Sequence, residues 1–309
     1  MRARALLAGA VMGVCAALPC ASSGAESGEG PSPRGKLETQ WRSWGAWKEP
    51  RPGRRAVFFP IGDIFAPPLA DQKQPRFFAS WQAYRTDFGS YKVGSVGFGE
   101  NVGLVRRLGA REGEGWQIGV SGGVFAVFNL DAESHDLLNA DYVIGFPLSF
   151  RRGRWSARAR LYHQSSHLGD EFLLTSQPIA VERINLSFEV LEALVSWDSK
   201  QLRVYGGPSR ILSTVTPLKR QRIQAGVEHL GRDAAILGGR LIAGIEWSAW
   251  QETAWIGSLG VKTGLLFSSP YQEARSVRLF AEYYTGQIPH GQFYRLRTRY
   301  FGFGFAFSL

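Results

Sequence analysis

The sequence predicts an all-β fold: a transmembrane antiparallel β-barrel of about twelve strands, preceded by an irregular N-terminal periplasmic segment. Three observations predict it. The last nine residues place Phe301, Phe303, Phe305, Phe307 and Leu309 on one alternate set, with only Gly302, Gly304, Ala306 and Ser308 between them. Strict alternation is the mark of a strand with one apolar face. An unpaired strand of that kind invites aggregation, and closure into a barrel removes the edge. Secondly, alternating runs of the same type recur along the chain from Arg76 onward. Thirdly, no stretch after the N-terminus approaches the roughly 20 apolar residues of a spanning helix, although the 309 residues include 20 Phe and 37 Gly.

The elements follow in chain order. Arg2 and Arg4, the apolar stretch Ala5 to Leu18 and the small residues up to Ala25 form a secretory signal peptide over 1–25. Cys15 and Cys20 both lie within it, so the mature chain carries no thiol chemistry. Residues 26–75 read as an irregular periplasmic or plug segment. Its start is rich in Gly, Ser and Pro, and Trp41, Trp44, Trp47, Pro60, Pro67, Pro68 and Pro75 follow without a sustained period. Residues 76–309 form the barrel.

Within the barrel, the alternating runs fall at 76–86, 91–107, 116–130, 140–151, 154–165, 182–196, 201–213, 220–230, 239–250, 254–268, 275–286 and 296–309. An even strand number suits a single-chain bacterial barrel. With both termini in the periplasm, the outside connections include 131–139 and the long 166–181. Arg152-Gly153 makes a tight turn on the periplasmic side. Tyr142, Ile144, Phe146, Leu148 and Phe150 define one outward face. In the run 182–196, Ile184, Leu186, Phe188 and Val190 share a face that reads as outward. Arg183, Asn185, Ser187 and Glu189 then point into a polar lumen, because charge on the outer face is costly. Arg158 and Arg160, with Arg183 and Glu189, are expected to form an internal ion network that plugs the bore. The acidic stretch Asp131 to Asp141 is expected to stay solvated. A soluble β-sandwich is the competing fold; it explains the alternation but not the aromatic C-terminus.

The formal charge of +10 falls by two when Arg2 and Arg4 leave with the signal. A secreted chain has little occasion to meet nucleic acid. The phosphates of outer-membrane lipids, lipopolysaccharide or phospholipid, are the expected counter-ions, and the outer membrane of a Gram-negative cell is the expected location.

Candidate chemistry sits on the run 154–165. Trp155, Ala157, Ala159 and Leu161 share a face that His163 and Ser165 continue, while Arg158, Arg160, Tyr162 and Gln164 take the other. With the Arg face in the lumen, His163 and Ser165 point outwards at the extracellular end of the strand. Two residues apart on one strand face, their Cα atoms are roughly 6.5–7 Å apart. That separation permits a base to activate a hydroxyl.

Tyr162-His163-Gln164-Ser165 resembles the His-x-Ser element of outer-membrane phospholipase A and of the lipid A deacylases. The resemblance implies His163 as base and Ser165 as nucleophile at the outer leaflet. In the phospholipase pattern the third member is an Asn, which Arg183-Ile184-Asn185 resembles locally; Asp170 and Glu171 are the alternatives, a carboxylate suiting the deacylase version. Departures are the continuation Ser166-His167 after Ser165 and the luminal parity expected for Asn185. Asp170 and Glu171 beside His167 are also candidate Ca²⁺ ligands, since carboxylates bind that ion, with a solvated loop as the competing reading; the resemblance implies a homodimer as a partner. Phe301 to Leu309 resembles the C-terminal signature read by the outer-membrane insertion machinery, with Leu in place of the usual final Phe. A second resemblance spans most of residues 60–230. The segments Pro67 to Phe77, Asp136 to Tyr142, Leu161 to Leu173 and Asn185 to Leu194 resemble those of an uncharacterised bacterial family, a domain of unknown function. The expected function is therefore a serine lipid hydrolase of the outer membrane. The alternative is a non-enzymatic barrel serving as a narrow channel or a structural or adhesive protein.

Overall fold

The computed structural model describes residues 56–111, 113–174, 183–268 and 275–308. The expected signal peptide, both cysteines and Leu309 lie outside these residues.

Twelve long strands form one antiparallel barrel: β2 (Phe77–Thr86), β3 (Gly89–Leu108), β4 (Gly115–Asn129), β5 (Leu137–Arg152), β6 (Trp155–Leu168), β7 (Leu186–Asp198), β8 (Leu202–Thr214), β9 (Gln221–Ile236), β10 (Gly239–Trp250), β11 (Gly257–Ser268), β12 (Ser276–Gln287) and β13 (Arg297–Ser308). Each strand pairs with its chain neighbours, and β2 pairs with β13 to close the cylinder. At that seam Phe303 faces Trp81 and Phe305 faces Ala79. The aromatic face of the C-terminal strand is exposed, Phe303 at 57%, so the strand expected from alternation has its apolar face on the outer wall and no free edge. A three-residue strand, β1 (Ala56–Phe58), lies within the segment expected to be irregular and pairs with residues 105–107 of β3.

The connections alternate between two ends. The terminal end holds the start of β2, the end of β13 and the tight turn at Gly153, whose positive φ of 56° suits glycine. The far end carries the longer connections. These include a one-turn helix α1 (Asp170–Leu174) after β6 and a 3₁₀ turn (Gly291–Phe293) between β12 and β13. Among the described residues no helix is long and apolar enough to cross a membrane.

Inside and outside are chemically distinct. Tyr142, Ile144, Phe146, Leu148 and Phe150 are all exposed on the outer wall. The interior holds Arg106, Arg151, Arg158, Arg160, Arg203, Glu192, Glu228 and Glu282, all buried. Between β1 and β2, residues 62–76 run into this interior, with Ile64, Phe65, Ala66, Leu69 and Ala70 buried. Arg151 Nε donates to the Ile64 carbonyl at 3.0 Å, and Arg106 to the Gly62 carbonyl at 2.7 Å. The Leu69 amide donates to Glu228 at 2.5 Å, while Arg203 pairs with the other oxygen of Glu228 at 2.8 Å. The guanidinium groups of Arg158 and Arg203 also stack over the Phe65 ring. A buried charge is tolerable only when paired and hydrogen-bonded, and this irregular segment supplies the backbone carbonyls that the barrel arginines need.

Three expectations are corrected here. Arg158 and Arg160 bind Glu192, at 2.8 and 2.9 Å, and not Glu189 or Arg183. The parity of β7 is the reverse of that expected along the whole strand: even-numbered positions are inside, and Leu186, Phe188 and Val190 pack with Ile211, Leu218 and Tyr294. Ser187 and Glu189 therefore face outwards. The cause is register, since Arg160 lies opposite Glu192 and cross-strand partners share a face. The stretch 131–141 is not uniformly wet either. Asp131 is exposed and pairs with Lys92 at 3.2 Å. Asp141 is fully buried, binding Lys73 and the Ser166 hydroxyl and accepting from Asn139 Nδ2 at 2.9 Å.

Candidate active site on the outer wall

The β6 strand alternates as the sequence suggests. Trp155 and Leu161 are exposed outside, Arg158 and Arg160 are buried inside, and His163 and Ser165 continue the outer face. Antiparallel pairing sets Glu189 of β7 directly across from His163, and Ser187 directly across from Ser165. On the other flank, Ile144 and Tyr142 of β5 lie opposite His163 and Ser165. The result is a half-exposed polar cluster near the far end of an otherwise apolar wall.

Within the cluster, His163 Nδ1 lies 3.1 Å from Glu189 Oε1. Ser213, opposite Glu189 on β8, supplies a second hydrogen bond to that carboxylate. With Nδ1 carrying the proton toward Glu189, Nε2 is left as the basic nitrogen. Among the described residues no hydrogen bond joins His163 to Ser165. The chemistry available is a carboxylate-oriented imidazole with a serine hydroxyl two residues along the same strand face.

The three candidates for a third member sit elsewhere. Asn185 is exposed before the start of β7, on the same outer face but four residues from Glu189, and its carbonyl accepts from Thr216 Oγ1 at 2.7 Å. Asp170 and Glu171 occupy the first turn of α1, beyond the end of β6. Sequence reasoning passed over Glu189 because it was assigned to the lumen. The available signal was the alternation of opposite charges: placing Glu192 opposite Arg160 carries Glu189 to His163 automatically. Among the described residues, no group of three or more His, Cys, Asp or Glu side chains is placed to hold a metal ion.

The inner face of β6 belongs to a different environment. Tyr162 and Gln164 line a cavity of about 1060 Å³, mouth included, that opens between the far-end connections. Its floor is Ala70 to Lys73 of the interior segment, and Phe188, Arg222 and Trp250 stand on its walls. Over it lies the 288–296 connection. The Gly291 amide donates to Asp141 at 3.1 Å, the Gln292 amide donates to Asn139 Oδ1 at 3.2 Å, and Gln292 Nε2 donates to the Ser166 carbonyl at 2.7 Å. His290, buried beside Lys73, contacts the Tyr84 hydroxyl at 3.2 Å.

Fold and site together define an outer-membrane-type β-barrel with a filled lumen and a polar cluster on its outer wall. The chain belongs to the family described as a protein of unknown function, DUF1207, whose model matches residues 54–309. Comparison with curated protein sequences finds no match. Among solved structures, the chain is similar to the calcium-bound dimer of the Salmonella typhi outer membrane phospholipase. The identity is 12%, the TM-score 0.51, and 84% of this chain and 94% of that chain are covered. It is also similar to outer membrane phospholipase A from Escherichia coli, at 12% identity and TM-score 0.49, covering 76% of this chain and 90% of that one. The transport unit of the autotransporter AIDA-I from Escherichia coli matches at 15% identity and TM-score 0.40, covering 80% and 94%. At 12% identity the likeness to the Salmonella typhi structure is one of fold.

Proposed function

We propose that the protein resides in the outer membrane and hydrolyses acyl esters of outer-leaflet lipids at the His163–Ser165–Glu189 cluster. The observation that carries this is the Glu189 carboxylate lying 3.1 Å behind the imidazole of His163, on the outer wall, with Ser165 on the same face. A carboxylate facing lipid is expensive, so its placement beside a histidine calls for a use.

The steps balance as follows. Ser165 Oγ attacks the ester carbonyl and passes its proton to His163 Nε2, while Glu189 stabilises the imidazolium. The proton then goes to the departing alcohol as the C–O bond breaks, leaving an acyl group on Ser165. Water, deprotonated by the same imidazole, releases the fatty acid and restores the serine. The Ser187 hydroxyl, directly across from Ser165, is the donor best placed to stabilise the developing oxyanion. The partners of this reading are phospholipid or lipopolysaccharide, the insertion machinery and a second copy of the chain.

The test is ester hydrolysis in mixed micelles by the full chain and by Ser165→Ala. Ser165→Ala is expected to fall to the uncatalysed rate. Equal rates for the two proteins, or none for either at any protein concentration, reject the enzyme. The second reading is a closed, non-enzymatic barrel. It is favoured by the inward placement of Gln74, Asn139, Asp141 and Glu192, all from the segments that carry the family resemblance, and it prevails if the wild type is inert.

A further inference from the structure

We infer that Arg85, Arg297 and Arg299 form a separate binding site on the outer wall for the phosphorylated head group of an outer-leaflet lipid. Arg85 of β2 and Arg299 of β13 are direct cross-strand partners at the closing seam, and both are exposed. Arg297, two residues along β13, is exposed on the same face. Like charges placed directly opposite each other destabilise a strand pair, so the arrangement calls for a compensating anion.

The protein does not supply one among its described residues. The cross-strand neighbours on the far sides are Ser90, Thr285 and Gln287, all neutral. Asp131 is taken by Lys92 and Glu252 by Arg295, at 3.2 and 3.4 Å. Asp87, the acidic residue closest along the chain, makes no ion pair within 4.0 Å. Three guanidinium forks on two adjacent strands match the oxygens of a phosphate, which arginine binds bidentately.

The surroundings point to a lipid phosphate. One step down the same face toward the terminal end come Phe301 and Tyr283, which are direct partners, then Phe303 and Trp81. All four belong to the apolar wall. An anion bound to the arginines would carry acyl chains along these rings, and a free phosphate would leave them without a partner. The polar hydroxyls of Ser90 and Thr285 suit a sugar-bearing head group on the flanks. This site rests on the outer-membrane placement proposed above, but not on the hydrolase chemistry of β6.

The experiment uses the full chain in phosphatidylcholine bilayer discs, with native mass spectrometry as the readout. The probes are a bisphosphorylated acyl-glucosamine disaccharide lipid, its dephosphorylated form, and inorganic phosphate as competitor. The wild type is expected to retain the phosphorylated lipid at least 10-fold better than the dephosphorylated one. The variant Arg85→Gln with Arg299→Gln is expected to lose that preference. In lipid-free detergent Arg299→Gln is expected to melt no lower than wild type, because a like-charge opposition is removed. An undiminished preference in the double variant overturns the site, and so does displacement of the lipid by an equal concentration of inorganic phosphate. Protease protection in vesicles separates the two levels. A chain that inserts yet shows no phosphate preference refutes this site alone, while a chain that refuses bilayers refutes the membrane placement and the site together.

Discussion

Glu189 is the residue on which the outer-wall cluster turns. It faces His163 because β6 and β7 are in the register that also joins Arg160 to Glu192. Replacing it with Gln keeps the volume but removes the charge that stabilises an imidazolium. Glu189→Gln is therefore expected to lower kcat for ester hydrolysis by roughly 10²- to 10⁴-fold with little change in KM. Asn185→Ala, Asp170→Asn and Glu171→Gln are expected to leave both parameters within about two-fold of the wild type, since none of them faces the imidazole; steady-state kinetics in mixed micelles distinguish the two groups. His163 and Ser165 were legible in the sequence because alternation within one strand needs no partner. Glu189 was not, because its facing depends on how a second strand pairs. The apolar residues Leu186, Phe188 and Val190 suggested the wrong side: they pack against one another indoors, where a barrel is usually polar.

At the scale of elements, the 288–296 connection is held down by Asp141. Lys73 from the interior segment neutralises that carboxylate. Lys73→Met is expected to cost about 3–5 kcal/mol, because it strands a buried charge, and denaturant unfolding in detergent measures it. His290 on the same connection is lowered to about 3, first by burial and then by the nearby charge of Lys73. The sign follows from proton binding. Between about 6.5, the usual histidine value, and 3 the unfolded chain binds a proton that the folded connection refuses. Stability is therefore full above about 6.5 and falls as the pH drops, by roughly 1.4 kcal/mol per unit. Unfolding midpoints of wild type and His290→Gln between pH 7 and pH 4 should converge as the pH falls; parallel curves would reject the assignment.

For the whole molecule, the sequence revealed the architecture well and the contents of the lumen poorly. Each of the twelve runs corresponds to one strand, with ends within a few residues except in β9, which continues to Ile236. Alternation is a local signal that survives without knowledge of partners. The path of residues 59–76 carries no period, and its contacts with Arg151, Arg158, Arg203 and Glu228 lie far away in the chain. A filled bore predicts that the protein, reconstituted in planar bilayers, shows no resolved unitary current; steady steps of an open pore would contradict the packing described here. Both ends of the interior segment are fastened to the same strand, β1 to the terminal part of β3 and β2 to its far part. A pull applied at the N-terminal side thus loads only three residue pairs of β1 before it reaches the ion pairs in the bore. The wall strands are joined to one another by nine or more residue pairs each, so the inner segment, held by a shorter attachment, can yield while the wall stays whole.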